Sequence, residues 1–105
     1  LEFTELRTLA AVAAGKAPGA ESSILKFKGT ELQQAVDELF VEAAGYYALP
    51  YVPAQYALDF PADERVGEGS ETRSSLTYFN FRKASIYGGS NEIQKNIVAK
   101  RVLGL

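Results

Sequence analysis

The sequence contains neither cysteine nor histidine. Without cysteine a disulfide framework is excluded. Without histidine, Ser-His-Asp triads, Cys-His pairs and histidine-ligated zinc sites are excluded as well. No apolar run approaches the roughly 18 residues that a membrane-spanning helix needs, and the formal net charge of -2 gives no general reason to expect nucleic acid as a partner. A metal site would depend on carboxylates alone, so we expect no metal, no nucleic acid and no membrane contact.

The chain has 105 residues, of which 47% are apolar, and this is the size and composition of one soluble domain. It starts with Leu1 rather than methionine, and its first residues already follow a helical rhythm without a capping residue before them. We therefore expect a piece of a longer protein. The N-terminal residues do not resemble a signal peptide, so a soluble cytoplasmic protein is expected, or a mitochondrial matrix protein if the source is eukaryotic.

Apolar residues recur with a period near 3.6, which predicts an all-α fold. The predicted helices cover about 1–14, 21–46, 74–87 and 90–103, and a long loop covers 47–73. The second helix would bury a stripe that includes Leu32, Val36 and Leu39, and the last helix would bury Ile93, Ile97, Val98 and Val102. Residues 78–81 also have the β-propensity of a strand. The predicted architecture is an open bundle that needs another helix or subunit to cover it.

Charge is distributed unevenly along the chain. Residues 31–72 hold nine acidic residues and one base, whereas residues 73–105 hold six bases and one acid. Complementary packing of the acidic middle against the basic end explains this pattern. Alternatively, the basic end faces an anionic ligand or a partner subunit.

The most informative local feature is the turn that precedes the last helix. Gly88 and Gly89 are followed by Ser90, a favourable N-cap, and by Glu92, whose charge suits the positive end of a helix dipole. Such a turn presents free backbone N–H groups to an anion or to the polar edge of a ligand. It is equally explained as a connection between two helices that binds nothing.

Three segments resemble one protein family. Residues 81–97, continuing to Leu105, strongly resemble the C-terminal end of the acyl-CoA dehydrogenases, while 23–28 and 43–46 resemble the beginning and end of that family's long helix. The resemblance implies an incomplete four-helix up-down bundle of the acyl-CoA dehydrogenase C-terminal type with one long loop. It also implies a flavoprotein that oxidises an acyl-CoA thioester to the trans-2-enoyl-CoA, with FAD as cofactor. Electron-transferring flavoprotein is the expected electron acceptor, and a homo-oligomer, dimer or tetramer, is the expected assembly.

The resemblance also suggests roles for individual residues. Gly89 matches the glycine that lines the acyl site, and Tyr87 matches a tyrosine that flanks the acyl chain or simply packs. The cofactor-binding candidates are Ser90, Asn91 and Glu92, together with Glu42, which falls near a glutamine that reaches the FAD of a neighbouring subunit. Glu92 replaces the family's usual glutamine, so a hydroxyl group of the cofactor suits it better than the anionic pyrophosphate.

The position after Tyr87 carries the catalytic glutamate in many members of the family, but here it is Gly88, which can accept no proton. We therefore assign no catalytic residue. Three interpretations remain: a base on a helix upstream of Leu1, a non-catalytic partner subunit, or a shifted register in which Glu92 is the base. A helical interaction module unrelated to catalysis is a further alternative. On the catalytic interpretation, the isolated chain is expected to be inactive and to bind FAD poorly.

Overall fold

A computed structural model describes residues 1–65, 67 and 71–105 and contains four α-helices in this part of the chain. These are α1, Glu2–Ala13; α2, Glu21–Ala44; α3, Glu71–Phe81; and α4, Asn91–Val98. The described residues contain no strand, and the aromatic run at 78–81 is helical. The prediction of an all-α fold is therefore confirmed, and the strand alternative is wrong.

The chain divides into two compact units. One consists of residues 1–33 and 83–105, and it contains α1, the first half of α2, and α4. The other consists of residues 34–82, and it contains the second half of α2, the connection that follows, and α3. The prediction of one helical domain over 1–105 stays a prediction.

The segment predicted as a long loop has more regular structure than expected. Short 3₁₀ turns form at Gly45–Ala48, Pro53–Tyr56 and Ala62–Glu64, and α3 begins at Glu71, within the predicted loop. Pro53 suits the start of its turn because the first residues of a helix need no N–H donor. Residues 66 and 68–70 of the predicted loop lie outside the described residues.

The ends of the last two predicted helices also differ from expectation. The α-helical part of α3 ends at Phe81, and a 3₁₀ turn, Arg82–Ser85, replaces the rest of the predicted helix. After α4, residues Ala99–Leu103 form a wider π-helical turn that ends at Gly104, as the glycine predicted. 3₁₀ turns are frequent at helix termini, whereas π-helical turns are rare. Sequence periodicity distinguishes neither from α-helix.

More polar than apolar side chains are fully buried among the described residues, which is the opposite of the usual pattern. The buried apolar side chains of the described residues are only Ala48 and Ala84, whereas seven polar residues are buried: Ser23, Thr30, Asp37, Gln55, Thr72, Ser74 and Asn91. The large apolar side chains of α2 that were predicted to be buried, Leu32, Val36 and Leu39, are exposed. Ile93 and Val102 are exposed too, so the predicted stripe of the last helix is wrong at these two positions. Their exposure follows because no described part of this chain covers them.

The first helix shows the same reversal. Phe3, Leu6 and Leu9 are exposed, and Phe3 is 82% exposed. The half-buried face of α1 is instead Thr4, Thr8 and Ala11. The Thr8 hydroxyl donates to the carbonyl of Thr4 at 2.9 Å, so this polar residue is satisfied within its own helix. The apolar face of α1 is left in contact with solvent.

Candidate functional site

The turn before α4 is built from two left-handed glycines. The 3₁₀ turn at Arg82–Ser85 is extended by Ile86 and Tyr87, whose backbone N–H groups both donate to the carbonyl of Lys83, at 2.9 and 3.2 Å. Gly88 and Gly89 then have φ values of +67° and +85°. L-residues with a Cβ rarely adopt this conformation, so the path of the chain into α4 requires the glycine pair.

Ser90 caps α4. Its backbone is extended, and its hydroxyl oxygen accepts a hydrogen bond from the N–H of Ile93 at 3.4 Å, which confirms the predicted N-cap. The backbone N–H groups of Asn91 and Glu92 belong to the first turn of the helix, where no carbonyl of the same helix can accept from them. The turn therefore brings a hydroxyl group and helix N-terminal donors together in a short segment.

Glu92 is exposed in the first turn of α4. A hydrogen bond from its own backbone N–H, and a second from the Ser90 hydroxyl, hold the pKa of its carboxyl below the usual glutamate value. The positive charges of Lys95 and Lys26 act in the same direction to a smaller extent. Glu92 is consequently a carboxylate at neutral pH, and a weaker base than an unperturbed glutamate.

Lys26 of α2 connects the two sides of this turn. Its Nζ donates to the carbonyl of Ala84 at 2.9 Å, before the glycines, and to Oδ1 of Asn91 at 3.0 Å, after them. Ala84 and Asn91 are both buried, and Lys26 is half-buried. Lys26 lies in the segment that resembles the start of the family's long helix, but its sequence context gave no indication of this contact.

Gln94 makes a second contact with the turn. Its Nε2 donates to the carbonyl of Gly88 at 3.3 Å. A Cβ placed on Gly89 would lie 2.5 Å from the same nitrogen, whereas a Cβ on Gly88 would meet no atom within 4 Å. A Cβ on Gly89 would therefore displace the flexible end of the Gln94 side chain, while the space beside Gly88 is open.

An ion-pair cluster joins α2 to α4 in the same unit. The Glu31 carboxylate lies 2.9 Å from Nζ of Lys28 and 3.1 Å from Nζ of Lys95. Both ammonium groups also lie 5.5 Å from the centre of the Phe27 ring, within the range of a cation–π interaction. These contacts place α4 beside the first half of α2, although ion pairs this exposed contribute little to stability.

Five of the six predicted binding residues lie in one continuous segment, Tyr87–Glu92, of one compact unit. Tyr87 is 54% exposed there, so its side chain is only partly packed. Glu42 is exposed on the half of α2 that belongs to the other unit. The binding roles of all six stay predictions, and sequence reasoning missed Lys26 and Gln94.

Two kinds of feature are absent from the described residues, and a cavity is present. Among residues 1–65, 67 and 71–105, no group of three or more acidic side chains is placed to hold a metal ion. No described helix is both long and apolar enough to cross a membrane. A cavity of about 310 Å³ lies between α1 and the start of α2, where Thr4, Thr8, Lys16 and Glu21 contribute to its lining.

Comparison with known proteins identifies the family. A family model described as "Acyl-CoA dehydrogenase, C-terminal domain" matches residues 2–103. Two proteins named acyl-CoA dehydrogenase IpdE1, from Mycobacterium tuberculosis and Mycolicibacterium smegmatis, are each 68% identical to this chain over 28 residues. That match covers 27% of this chain and 7% of each relative. No solved structure matches significantly. Because the family model spans nearly the whole sequence, the chain belongs to the acyl-CoA dehydrogenase family and corresponds to its C-terminal helical domain.

Proposed function

We propose that this chain is the C-terminal domain of an FAD-dependent acyl-CoA dehydrogenase. The intact protein would oxidise an acyl-CoA thioester to the trans-2-enoyl-CoA, while the domain alone would be inactive. The observation that carries the proposal is the Gly88–Gly89–Ser90 turn at the start of α4, within a chain that matches the family model from residue 2 to residue 103. Acyl-CoA is the proposed substrate, and electron-transferring flavoprotein is the proposed electron acceptor.

The residues of the turn fit one edge of a flavin cofactor. Ser90 supplies a hydroxyl, Asn91 supplies a first-turn N–H group, Glu92 supplies a carboxylate, and the space beside Gly88 is open. The ionised Glu92 carboxylate would repel a pyrophosphate, so it suits a ribityl or ribose hydroxyl, which can donate a hydrogen bond to it. When bound, FAD would supply the hydride acceptor for the β-carbon. The turn supplies too few groups to bind the cofactor alone, so other parts of the intact protein must provide most of the site.

The general base is proposed to come from outside this chain. Gly88 occupies the position at which many relatives carry the base, and it has no side chain. Glu92 is a poor substitute because its pKa is lowered, whereas a general base works best with a pKa near the working pH. The specific observation that favours a second candidate, a non-catalytic partner subunit, is this same glycine. The two candidates differ in whether an upstream helix carries a carboxylate at the active site.

The test uses the full-length protein that carries this chain. On the leading proposal it purifies with a yellow flavin whose absorbance near 450 nm bleaches when acyl-CoA is added. Glu92→Gln should keep most of this activity, whereas replacing the upstream carboxylate should lower the rate by roughly 10²–10⁴-fold, the usual contribution of a general base. Flavin that binds but never bleaches, with any acyl-CoA tried, would favour the partner subunit. A large loss of flavin reduction in Glu92→Gln with FAD still bound would instead identify Glu92 as the base.

A further inference from the structure

The two hydrogen bonds of Lys26 enclose the turn that the proposed function uses. One acceptor, the carbonyl of Ala84, precedes Gly88 by four residues, and the other, Oδ1 of Asn91, follows Gly88 by three. The lysine is 58 residues from the first acceptor in sequence and 65 from the second. It therefore connects α2 with both sides of the turn at a single point.

The chemistry of the lysine also fixes the orientation of Asn91. An ammonium group only donates hydrogen bonds, so the Asn91 amide must present its oxygen to Lys26. The amide nitrogen is then directed away from the lysine as a donor. Because Asn91 is 7% exposed and Lys26 is half-buried, water competes weakly with these contacts. Hydrogen bonds from a charged donor are roughly twice as strong as neutral ones.

We infer that Lys26 is a positioning residue for the acyl-CoA dehydrogenase site: it holds residues 84–91 in the conformation that receives the flavin edge and the thioester. The consequence for catalysis rests on the proposed function. The two hydrogen bonds of Lys26, which we call the Lys26 clamp, do not depend on it. Lys26 reaches the site through Ala84 and Asn91 and is not itself a catalytic residue. A lysine that stabilises only the general fold would affect stability without selectively affecting this turn.

The experiment compares three variants of the full-length protein. Lys26→Met removes the charge and keeps the aliphatic stem, Lys26→Arg restores a cation, and Lys28→Met is the matched control from the exposed side of the same helix. Three quantities are measured in each: amide hydrogen exchange over residues 84–94, flavin content, and kcat and KM for an acyl-CoA. Thermal unfolding of each variant reports on the fold as a whole.

We expect Lys26→Met to speed exchange of the hydrogen-bonded amides of Ile86 and Tyr87 by about tenfold or more, the factor that corresponds to losing hydrogen bonds to a charged group. Flavin content or kcat should fall in the same variant. Lys26→Arg should recover most of the lost flavin content and kcat. Lys28→Met should stay within about twofold of the wild type in each quantity, because exposed ion pairs contribute little. Adding Asn91→Ala to Lys26→Met should change little further, because the contact between Lys26 and Asn91 is already lost in Lys26→Met.

Two results would overturn the inference. One is a Lys26→Met protein that matches Lys28→Met in both exchange and flavin content. The other is a general loss of stability in which Lys26→Met and Lys26→Arg are equally impaired and exchange rises across the whole chain. If the wild-type protein carries no flavin, the proposed function fails, and the exchange rates of the Ile86 and Tyr87 amides still test whether Lys26 holds the turn. Faster exchange in Lys26→Met supports this, and unchanged exchange refutes it.

Discussion

The Glu31 carboxylate of α2 lies 3.1 Å from Nζ of Lys95 on α4, although 63 residues separate the two in sequence. Lys28 contacts the same carboxylate at 2.9 Å. Hydrogen bonds from Lys28, and to a smaller extent from Lys95, hold the pKa of Glu31 below its ordinary value. This cluster is the electrostatic connection between the long helix and the helix that begins at the candidate site.

The first prediction concerns the pH dependence of this connection. Because the pKa of Glu31 is lower in the folded state than in the unfolded state, its contribution is complete above the ordinary value of 4.5 and is lost as the pH falls through the folded value. The effect should be small and should weaken with added salt, since the groups are exposed. Carbon-13 NMR titration of the Glu31 carboxyl should show the lowered pKa, and Lys95→Met should raise it. An ordinary titration curve in the wild type would contradict the contact.

The second prediction compares the two glycines of the turn. Gly88→Ala should destabilise the protein by about 1–2 kcal/mol, the cost of a left-handed conformation for a residue with a Cβ. No steric cost is added, because a Cβ at this position meets no atom within 4 Å. Gly89→Ala should cost about 0.5 kcal/mol more, the low end for a hydrogen bond, since its Cβ displaces the flexible end of Gln94 and breaks the exposed bond to the Gly88 carbonyl. Urea unfolding measures both.

Gln94→Ala provides the control for this comparison. In its background, the cost of Gly89→Ala should fall to that of Gly88→Ala, because the displaced side chain is no longer there. If the two glycine variants are equally stable while Gln94 is present, Gln94 does not constrain the turn.

The third prediction concerns the cap of α4. Ser90→Ala should lower the free energy of unfolding by about 1 kcal/mol, the usual value for losing an N-cap hydroxyl. Ser90→Thr should keep most of the stability that the cap contributes. Because the Ser90 hydroxyl lowers the pKa of Glu92, that pKa should rise in Ser90→Ala and stay low in Ser90→Thr. NMR titration of Glu92 together with urea unfolding checks both. A Glu92 pKa that is the same in Ser90→Ala as in the wild type would contradict the hydrogen bond from the Ser90 hydroxyl.

Local features of the chain could be predicted from its sequence. The helical period and the Gly-Pro interruptions placed the helices, and two glycines followed by serine placed the capped turn at Ser90. The start of α3 was missed because its first turn buries Thr72 and Ser74, small polar side chains that leave no apolar period. Lys26 was missed as a clamp because its acceptors are distant in sequence, so no local pattern reveals them.

The direction of burial was also beyond sequence reasoning. A period of 3.6 shows that α2 and α4 each have an apolar face, but it does not show what covers that face. Leu32, Leu39 and Ile93 fit the period and are nevertheless exposed. The surface that packs on an apolar helix face is determined by the tertiary and quaternary structure, and the sequence of that one helix does not specify it.

The fourth prediction follows from the outward face of α1. We expect the 105-residue chain to associate at high concentration, because Phe3, Leu6 and Leu9 are exposed on one helix. Replacing Phe3 and Leu6 with lysine should weaken association by at least about tenfold, since burying one large apolar side chain contributes roughly 1.5–3 kcal/mol. Sedimentation velocity measures this, and a monomer at every concentration of the unchanged chain would contradict it.

A substitution on the opposite face of α1 separates association from folding. Ala11 is half-buried against the chain itself, so Ala11→Lys should lower thermal stability more than it lowers association. If Ala11→Lys and the outward double variant have the same effect, the two faces are not distinct.

The small and polar interior of this domain has a consequence for how it folds. Hydrophobic collapse gains free energy in proportion to the apolar area removed from water, and the buried apolar side chains here are two alanines among the described residues. A further gain is therefore available when the outward faces of α1 and α2 meet other surfaces. Folding and assembly would then be one linked equilibrium, and the melting temperature would rise with protein concentration.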